Sequence, residues 1–392
     1  CQVGAGVSYL LFYRTREGRA RWHTIGRHGS PWTPNTARGE AQRLLGEVAS
    51  GSDPAADKRA KRKAATVEVL CDLYLADVTA GRTLTRRRTP KKASTLVTDR
   101  GRIARHIKPL LGSLKVSSVT REDIEAFIHD VTVGKTAGRT KTAKNRGIAN
   151  VRGGRGTASR TVGLLGAIFA YAVRRRMRTD NPVHGVMRPA DGRRERRLSE
   201  DEYRALGDAL RSAEAAGVWP AAIAVIRFLV ITGWRSGEVL GLSAREVDLV
   251  RRTATLGDTK TGRSIRPLSR AACDVLRGLT SNAGTLVFQA TRGQGPMRGF
   301  PKFWQRVTKL GGLAPDITPH TLRHSFASMA ADLGYSELTI AALVGHKGHT
   351  ITSRYVHAAD AVLLAAADAV ADHTAALMGD GERNAKVIPL RA

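Results

Sequence analysis

Two short charged runs, AADKRAKRKAA from Ala55 to Ala65 and RPADGRRERR from Arg188 to Arg197, are too polar and basic to enter a hydrophobic core. They set where the chain divides. Three segments, 1–54, 66–187 and 198–378, must then fold around their own apolar residues, leaving GDGERNAKVIPLRA at 379–392 as a loose tail. With 392 residues, 42% of them hydrophobic, the chain has material for that many cores.

Each segment has its own periodicity. In the first, SYLLFYRTREGRARWHTI alternates bulky and polar side chains about a Gly-containing turn, which predicts a β-hairpin, and Thr36 to Val48 has helical spacing up to the breaker SGSDP. The chain starts at Cys1, without a methionine and already in the lead-in to a strand, which reads as an N-terminal domain cut short. The second segment reads as helices: VEVLCDLYLADV, TLVTDRGRIARHIKPLLG, TREDIEAFIHDV and ASRTVGLLGAIFAYAVRRRM. Between them lie RTLTRRRTPKK and GKTAGRTKTAKNRGIANVRGGRG, too polar to pack, as flexible insertions or as basic loops that track phosphates by charge. The third opens on LSEDEYRAL, where Ser199 and Glu202 form the S-x-x-E of a capping box; apolar helices, a strand-like TATLGDTKTGRSIRPL and further helix follow. The fold class is mainly α with small β elements.

The 64 Lys and Arg outnumber the 34 Asp and Glu and leave a net charge of +30, which calls for an acidic partner, nucleic acid first. A membrane is not indicated, since no apolar run approaches the ~20 residues of a spanning helix and no signal-peptide core precedes the first segment. Three scattered cysteines, Cys1, Cys71 and Cys273, imply neither a disulfide framework nor a zinc ribbon and fit a reducing cytoplasm.

Four stretches of the third segment carry reactive side chains. In TGWRSGEVLGL, Arg235 and Glu238 are three residues apart: a structural ion pair, or a guanidinium aimed at phosphate and held by the carboxylate. Lys260 sits near the tip of a hairpin in TKTGRSIRPLS, either solvated or a mobile proton donor. In PHTLRHSFASMA, Pro319 presets a helix start, so His320 and Arg323 are expected to point one way and His324 elsewhere. GHKGHTITSRYVH adds His346, His349, Tyr355 and His357. A metal pair at His320 and His324 lacks both the glutamate of HExxH and a third ligand.

A tyrosine, with a pKa of about 10, needs a base and a cationic surround to act as a nucleophile near neutrality. Arg235, Arg323, Lys260, His320 and His346 would provide one. Attack on a DNA phosphodiester builds charge on the non-bridging oxygens, which two arginines can hold without a metal. Lys260 could protonate the leaving 5′ oxygen and His320 accept the tyrosine proton. A phosphotyrosine would conserve the bond energy, so no ATP and no cofactor is called for.

In this order, with Gly345-His346 nine residues before Tyr355, the four stretches resemble the tyrosine recombinases, or phage integrase family. The NPV that closes the helical segment and the N-terminal YLLFYRTREGRARWHTIGRHG are similar to members of it as well. The resemblance implies phosphate-clamping roles for Arg235 and Arg323, a general acid in Lys260, a proton acceptor in His320, a contact to the scissile phosphate in His346, the nucleophile in Tyr355 and support of the first arginine by Glu238. It also implies an arm-type DNA-binding domain at 1–54, a helical core-binding domain at 66–187 and a catalytic domain of the tyrosine recombinase type at 198–378. GRTKTAKNRGIANVRGGRG departs from the family as an insertion.

The expectation is a site-specific recombinase that cleaves and rejoins DNA through a 3′-phosphotyrosine to integrate or excise a bacterial mobile element. It would act as a homotetramer on double-stranded attachment sites in the nucleoid, with a directionality factor and a DNA-bending protein as possible partners. The rivals are a resolvase of chromosome or plasmid dimers, a non-catalytic DNA-binding protein and a metal-dependent nuclease. The C-terminal helix AADAVLLAAADAVADHTAALM would pack in its own domain or on a neighbouring protomer.

Overall fold

Alternation in the first segment puts Leu11 and Tyr13 on one face of a strand, and in the computed structural model both are buried there. The structure describes residues 2–3, 6–86, 88–141, 147–190, 196–259, 262–279, 286–293, 295–346 and 361–379. It divides into two compact units, 1–193 and 194–392. Among the described residues, no helix is long and apolar enough to cross a membrane.

In the first unit β1 (Gln2–Val3), β2 (Gly6–Arg14) and β3 (Ala20–Arg27) form an antiparallel sheet in that order. Helix α1 (Pro34–Ala49) packs on it, with Leu44 against Leu11 and Tyr13. The outer face of the sheet leaves Phe12 and Trp22, a cross-strand pair, exposed with their rings 4.9 Å apart. The expected linker 55–65 is largely a helix, α2 (Pro54–Lys63). Asp53 caps it by accepting the Ala56 N–H, Pro54 supplies the first helical φ, and alanine, lysine and arginine continue the turns. A polar helix needs no core of its own.

Helices α3 (Val67–Thr79), α4 (Ala93–Arg102), α5 (Lys108–Leu111) and α6 (Arg121–Thr132) follow, with a π-helical turn at Ile103–Ile107 between α4 and α5. The second core joins Leu70, Cys71 and Tyr74 of α3 to Ile124 and Phe127 of α6 and to Val162, Leu165 and Phe169 of α7 (Arg155–Arg174). Asn181 of the NPV turn donates to the Gly166 carbonyl at 2.9 Å and accepts from the Val183 amide at 3.1 Å, fastening the chain to α7. Between α6 and α7, the segment read as too polar to pack holds a two-stranded antiparallel ribbon, β4 (Gly138–Lys141) and β5 (Ile148–Val151). Strand pairing satisfies its backbone without a core of its own.

The second unit begins with α8 (Glu200–Ala215), whose Ser199–Glu202 capping box forms as its sequence predicts. Helix α9 (Pro220–Thr232) is apolar around its circumference and lies at the centre of the unit, with every residue from Phe228 to Thr232 buried. Short α10 (Ser236–Leu240) leads to a second three-stranded antiparallel sheet, β6 (Val247–Asp248), β7 (Thr253–Thr259) and β8 (Gly262–Pro267). Helices α11 (Arg270–Arg277), α12 (Phe300–Leu310), α13 (Pro319–Asp332), α14 (Glu337–Val344) and α15 (Ala361–Leu377) complete it. Ala366, Val370 and Ala371 of α15 are buried in its own unit, and the buried Asp368 carboxylate accepts from Arg252 and from the Arg270 amide.

Candidate active site

In the second unit two arginines pair with one carboxylate and a third lies within electrostatic reach of all three. Arg235 is the N-cap of α10 and Glu238 its third residue, so the turn itself brings Arg235 Nη1 to 2.9 Å from Glu238 Oε1. On the other side, Arg266 Nη1 lies 2.9 Å from Glu238 Oε2. The Arg266 side chain has 0% exposure, enters from strand β8 and lies over the Trp234 ring at 4.9 Å. Arg323, 4% exposed, comes from α13; its Nη1 donates to the Gly233 carbonyl at 2.9 Å and the Val344 carbonyl at 2.7 Å. Those carbonyls end α9 and α14, where helix dipoles favour a cation.

Two glycines make this meeting possible. Gly233 and Gly345 both end their helices at positive φ, 62° and 71°. A Cβ on Gly345 would come within 2.2 Å of Arg266 Nε, and one on Gly233 within 2.6 Å of the Phe326 ring. The His346 N–H then closes the end of α14 on the Ala341 carbonyl at 2.8 Å, so the backbone that seats Arg266 also places His346.

Three guanidiniums against one carboxylate leave an excess of positive charge. Burial opposes ionisation of Glu238, but Arg266 and then Arg235 outweigh it and hold the carboxyl below the usual glutamate range. Burial, Arg235 and Arg266 push Arg323 down to about 9, so it remains a cation at neutral pH. His346 keeps solvent contact, yet partial desolvation, then Arg323, Arg235 and Arg266, push it down to about 4. Its imidazole is neutral at pH 7. Arg323 Nη2 and Arg266 Nη2 are buried donors without a hydrogen-bond partner among the described residues, a state that proteins seldom leave uncompensated.

His320 stands at the exposed start of α13, directly after Pro319, while Arg323 points inward. The expected divergence of His324 is not found: its ring packs against His320 at 4.7 Å. Four residues advance a helix by ~400° and three by ~300°, so His324 shares the His320 face more closely than Arg323 does. Among the described residues, no three His, Cys, Asp or Glu side chains are grouped as metal ligands. Lys260, His349, Tyr355 and His357 lie outside the described residues; β7 and β8 pair antiparallel on either side of Lys260, Thr259 opposite Gly262. Sequence reading missed Arg266. Alternation in GRSIRP puts Gly262, Ser264 and Arg266 on one side of the strand, but does not by itself say that this side is the buried one.

Glu238→Ala is expected to destabilise the unit by about 3–5 kcal/mol in a denaturant melt, because removing one partner strands a buried charge. With the folded pKa depressed, the contribution of Glu238 is full above about pH 4.3 and is lost as acidification passes the folded value. A melt unchanged by the substitution would mean that Arg266 is balanced elsewhere.

Residues 196–361 match the Phage integrase family and residues 1–61 the Arm DNA-binding domain. Residues 196–361 therefore form a domain of the phage integrase family. Members of that family are the tyrosine recombinases, enzymes that break and rejoin DNA. The shufflon-specific DNA recombinase of Escherichia coli is 33% identical over 45% of this chain and 44% of its own length. Tyrosine recombinase XerC of Mycobacterium sp. (strain JLS) is 28% identical over 70% of this chain and 94% of its own. In fold, the chain is similar to lambda integrase in a tetramer bound to a Holliday junction, with a TM-score of 0.58 at 20% identity over 87% of this chain and 96% of that one. The Tn1549 transposon integrase, in complex with circular intermediate DNA, gives 0.51 at 20% identity over 77% and 98%.

Proposed function

We propose that this chain is a site-specific recombinase that cleaves and rejoins duplex DNA through a 3′-phosphotyrosine, integrating or excising a mobile element. The observation that carries this reading is a pair of guanidiniums on one carboxylate with a third, Arg323, within electrostatic reach, whose second fork nitrogen is buried and has no partner among the described residues. Such a site favours an anion whose charge grows in the transition state.

In this reading Arg235 and Arg323 hold the non-bridging oxygens of the scissile phosphate, and Arg266 and Glu238 keep Arg235 in place. His346, being neutral, gives the phosphate an N–H donor without adding charge. Tyr355 attacks phosphorus, its proton passes to His320, and Lys260 protonates the departing 5′ oxygen. The P–O bond to the sugar breaks as the P–O bond to tyrosine forms, and the reverse step rejoins the strand. Segments 1–54 and 66–187 serve as arm-type and core-binding DNA domains, and strand exchange takes place in a homotetramer.

The test is a nicked suicide duplex carrying an attachment sequence recovered from the genomic junctions of the element. The full chain is expected to form a covalent protein–DNA adduct in EDTA, and peptide mapping is expected to place the nucleotide on Tyr355. Cleavage that disappears in chelator, or an adduct on another residue, overturns the assignment.

A further inference from the structure

The β4–β5 ribbon has two unlike faces. Antiparallel register pairs Arg139 with Asn150 and Lys141 with Ile148, and directly opposed residues share a face. All four are exposed, Ile148 at 57%. The other face holds Gly138, Thr140, Ala149 and Val151, of which Val151 is buried, Ala149 partly buried, and Gly138 and Thr140 exposed.

The base of the ribbon is pinned. Gly153 packs so tightly on the end of α6 that a Cβ there would meet the Val131 carbonyl at 2.3 Å and Gly134 Cα at 2.5 Å. The Gly154 amide donates to the Val131 and Thr132 carbonyls, both at 3.1 Å. On the other strand's side, the Thr136 hydroxyl lies 2.6 Å from Nδ1 of His106, a buried residue of the π-helical turn. No acidic residue occurs between Asp130 and Asp180, so nothing in this stretch of sequence opposes a polyanion.

We infer that the face formed by Arg139, Lys141, Ile148 and Asn150 enters the major groove of the DNA, where Arg139, Ile148 and Asn150 read base edges and Lys141 meets a phosphate. The inference rests on the DNA-recombining function proposed above. A two-stranded ribbon fits that groove, where arginine pairs with guanine, asparagine with adenine and an aliphatic side chain with the thymine methyl. Arg139 and Lys141, two residues apart, are spaced by ~6.8 Å, close to two base-pair steps. Phosphate tracking alone has no use for the exposed Ile148. An acidic protein partner would not use a base-reading pair either.

Selection of bound duplexes from a random-sequence pool, using the full chain, tests this. The wild type is expected to enrich a motif. Arg139→Ala and Asn150→Ala are each expected to lose selectivity at one or two of its positions and to bind the selected duplex about tenfold more weakly. Lys141→Ala is expected to weaken all duplexes alike and to flatten the salt slope by about one. Unchanged thermal melts of these surface variants would exclude misfolding as the cause of any loss. An unchanged motif and affinity in Arg139→Ala and Asn150→Ala overturns the role of the ribbon, as does uniform weakening with the motif intact. Failure of the wild type to select any motif overturns the parent reading, and the ribbon proposal with it.

Discussion

Tyr355→Phe is expected to bind the same suicide duplex as tightly as the wild type and to form no covalent adduct, a loss on the order of 10⁴-fold or more. Phenylalanine keeps the ring and removes only the oxygen that would bond to phosphorus. Lowering a phenol from its usual pKa of about 10 requires positive charge close by, and Arg235, Arg266 and Arg323 concentrate that charge around a single carboxylate. The other tyrosines of the unit are poor substitutes. Tyr203 is buried, and desolvation pushes its phenol up to about 12. Tyr335 packs against the core around Phe326. An adduct that survives in the Phe variant would therefore point to a nucleophile of another chemical type, and the phosphotyrosine mechanism would fall.

Features encoded by neighbouring residues were legible in the sequence. Ser199 and Glu202 form their capping box within one turn, Pro319 starts α13, and Arg235 meets Glu238 because both belong to the first turn of α10. Features that depend on distant partners were not. Arg266 is held by Glu238, 28 residues earlier in the chain, and is accommodated by the absence of a side chain at Gly345. Periodicity ranks an arginine in a strand as exposed, and no local pattern reports the carboxylate waiting inside. The ribbon was missed for a related reason: its strands have a polar outer face and a small-residue inner one, so the alternation is of size and charge instead of hydrophobicity. In α2, polarity along the segment was read as absence of structure, although the Asp53–Pro54 start was present.

Arg323→Ala is expected to reduce single-turnover cleavage by about 10³-fold, the range for removing a preorganised donor at a developing charge, and to destabilise the unit as well. The two effects have different origins in one side chain. Nη1 joins the last carbonyls of α9 and α14 through Gly233 and Val344, so its loss loosens the seat of His346; Nη2 has no hydrogen-bond partner among the described residues and is the atom that the proposed mechanism assigns to phosphate. Arg323→Lys separates them. A lysine restores one cation and can reach one of the carbonyls, but it cannot bridge two helix ends and still present a second planar donor. The lysine variant is therefore expected to recover most of the stability in a thermal melt while cleavage stays about 10²-fold down. If cleavage returned in proportion to stability, Arg323 would act only by holding α9 to α14, and the phosphate clamp would have to be built from Arg235 alone.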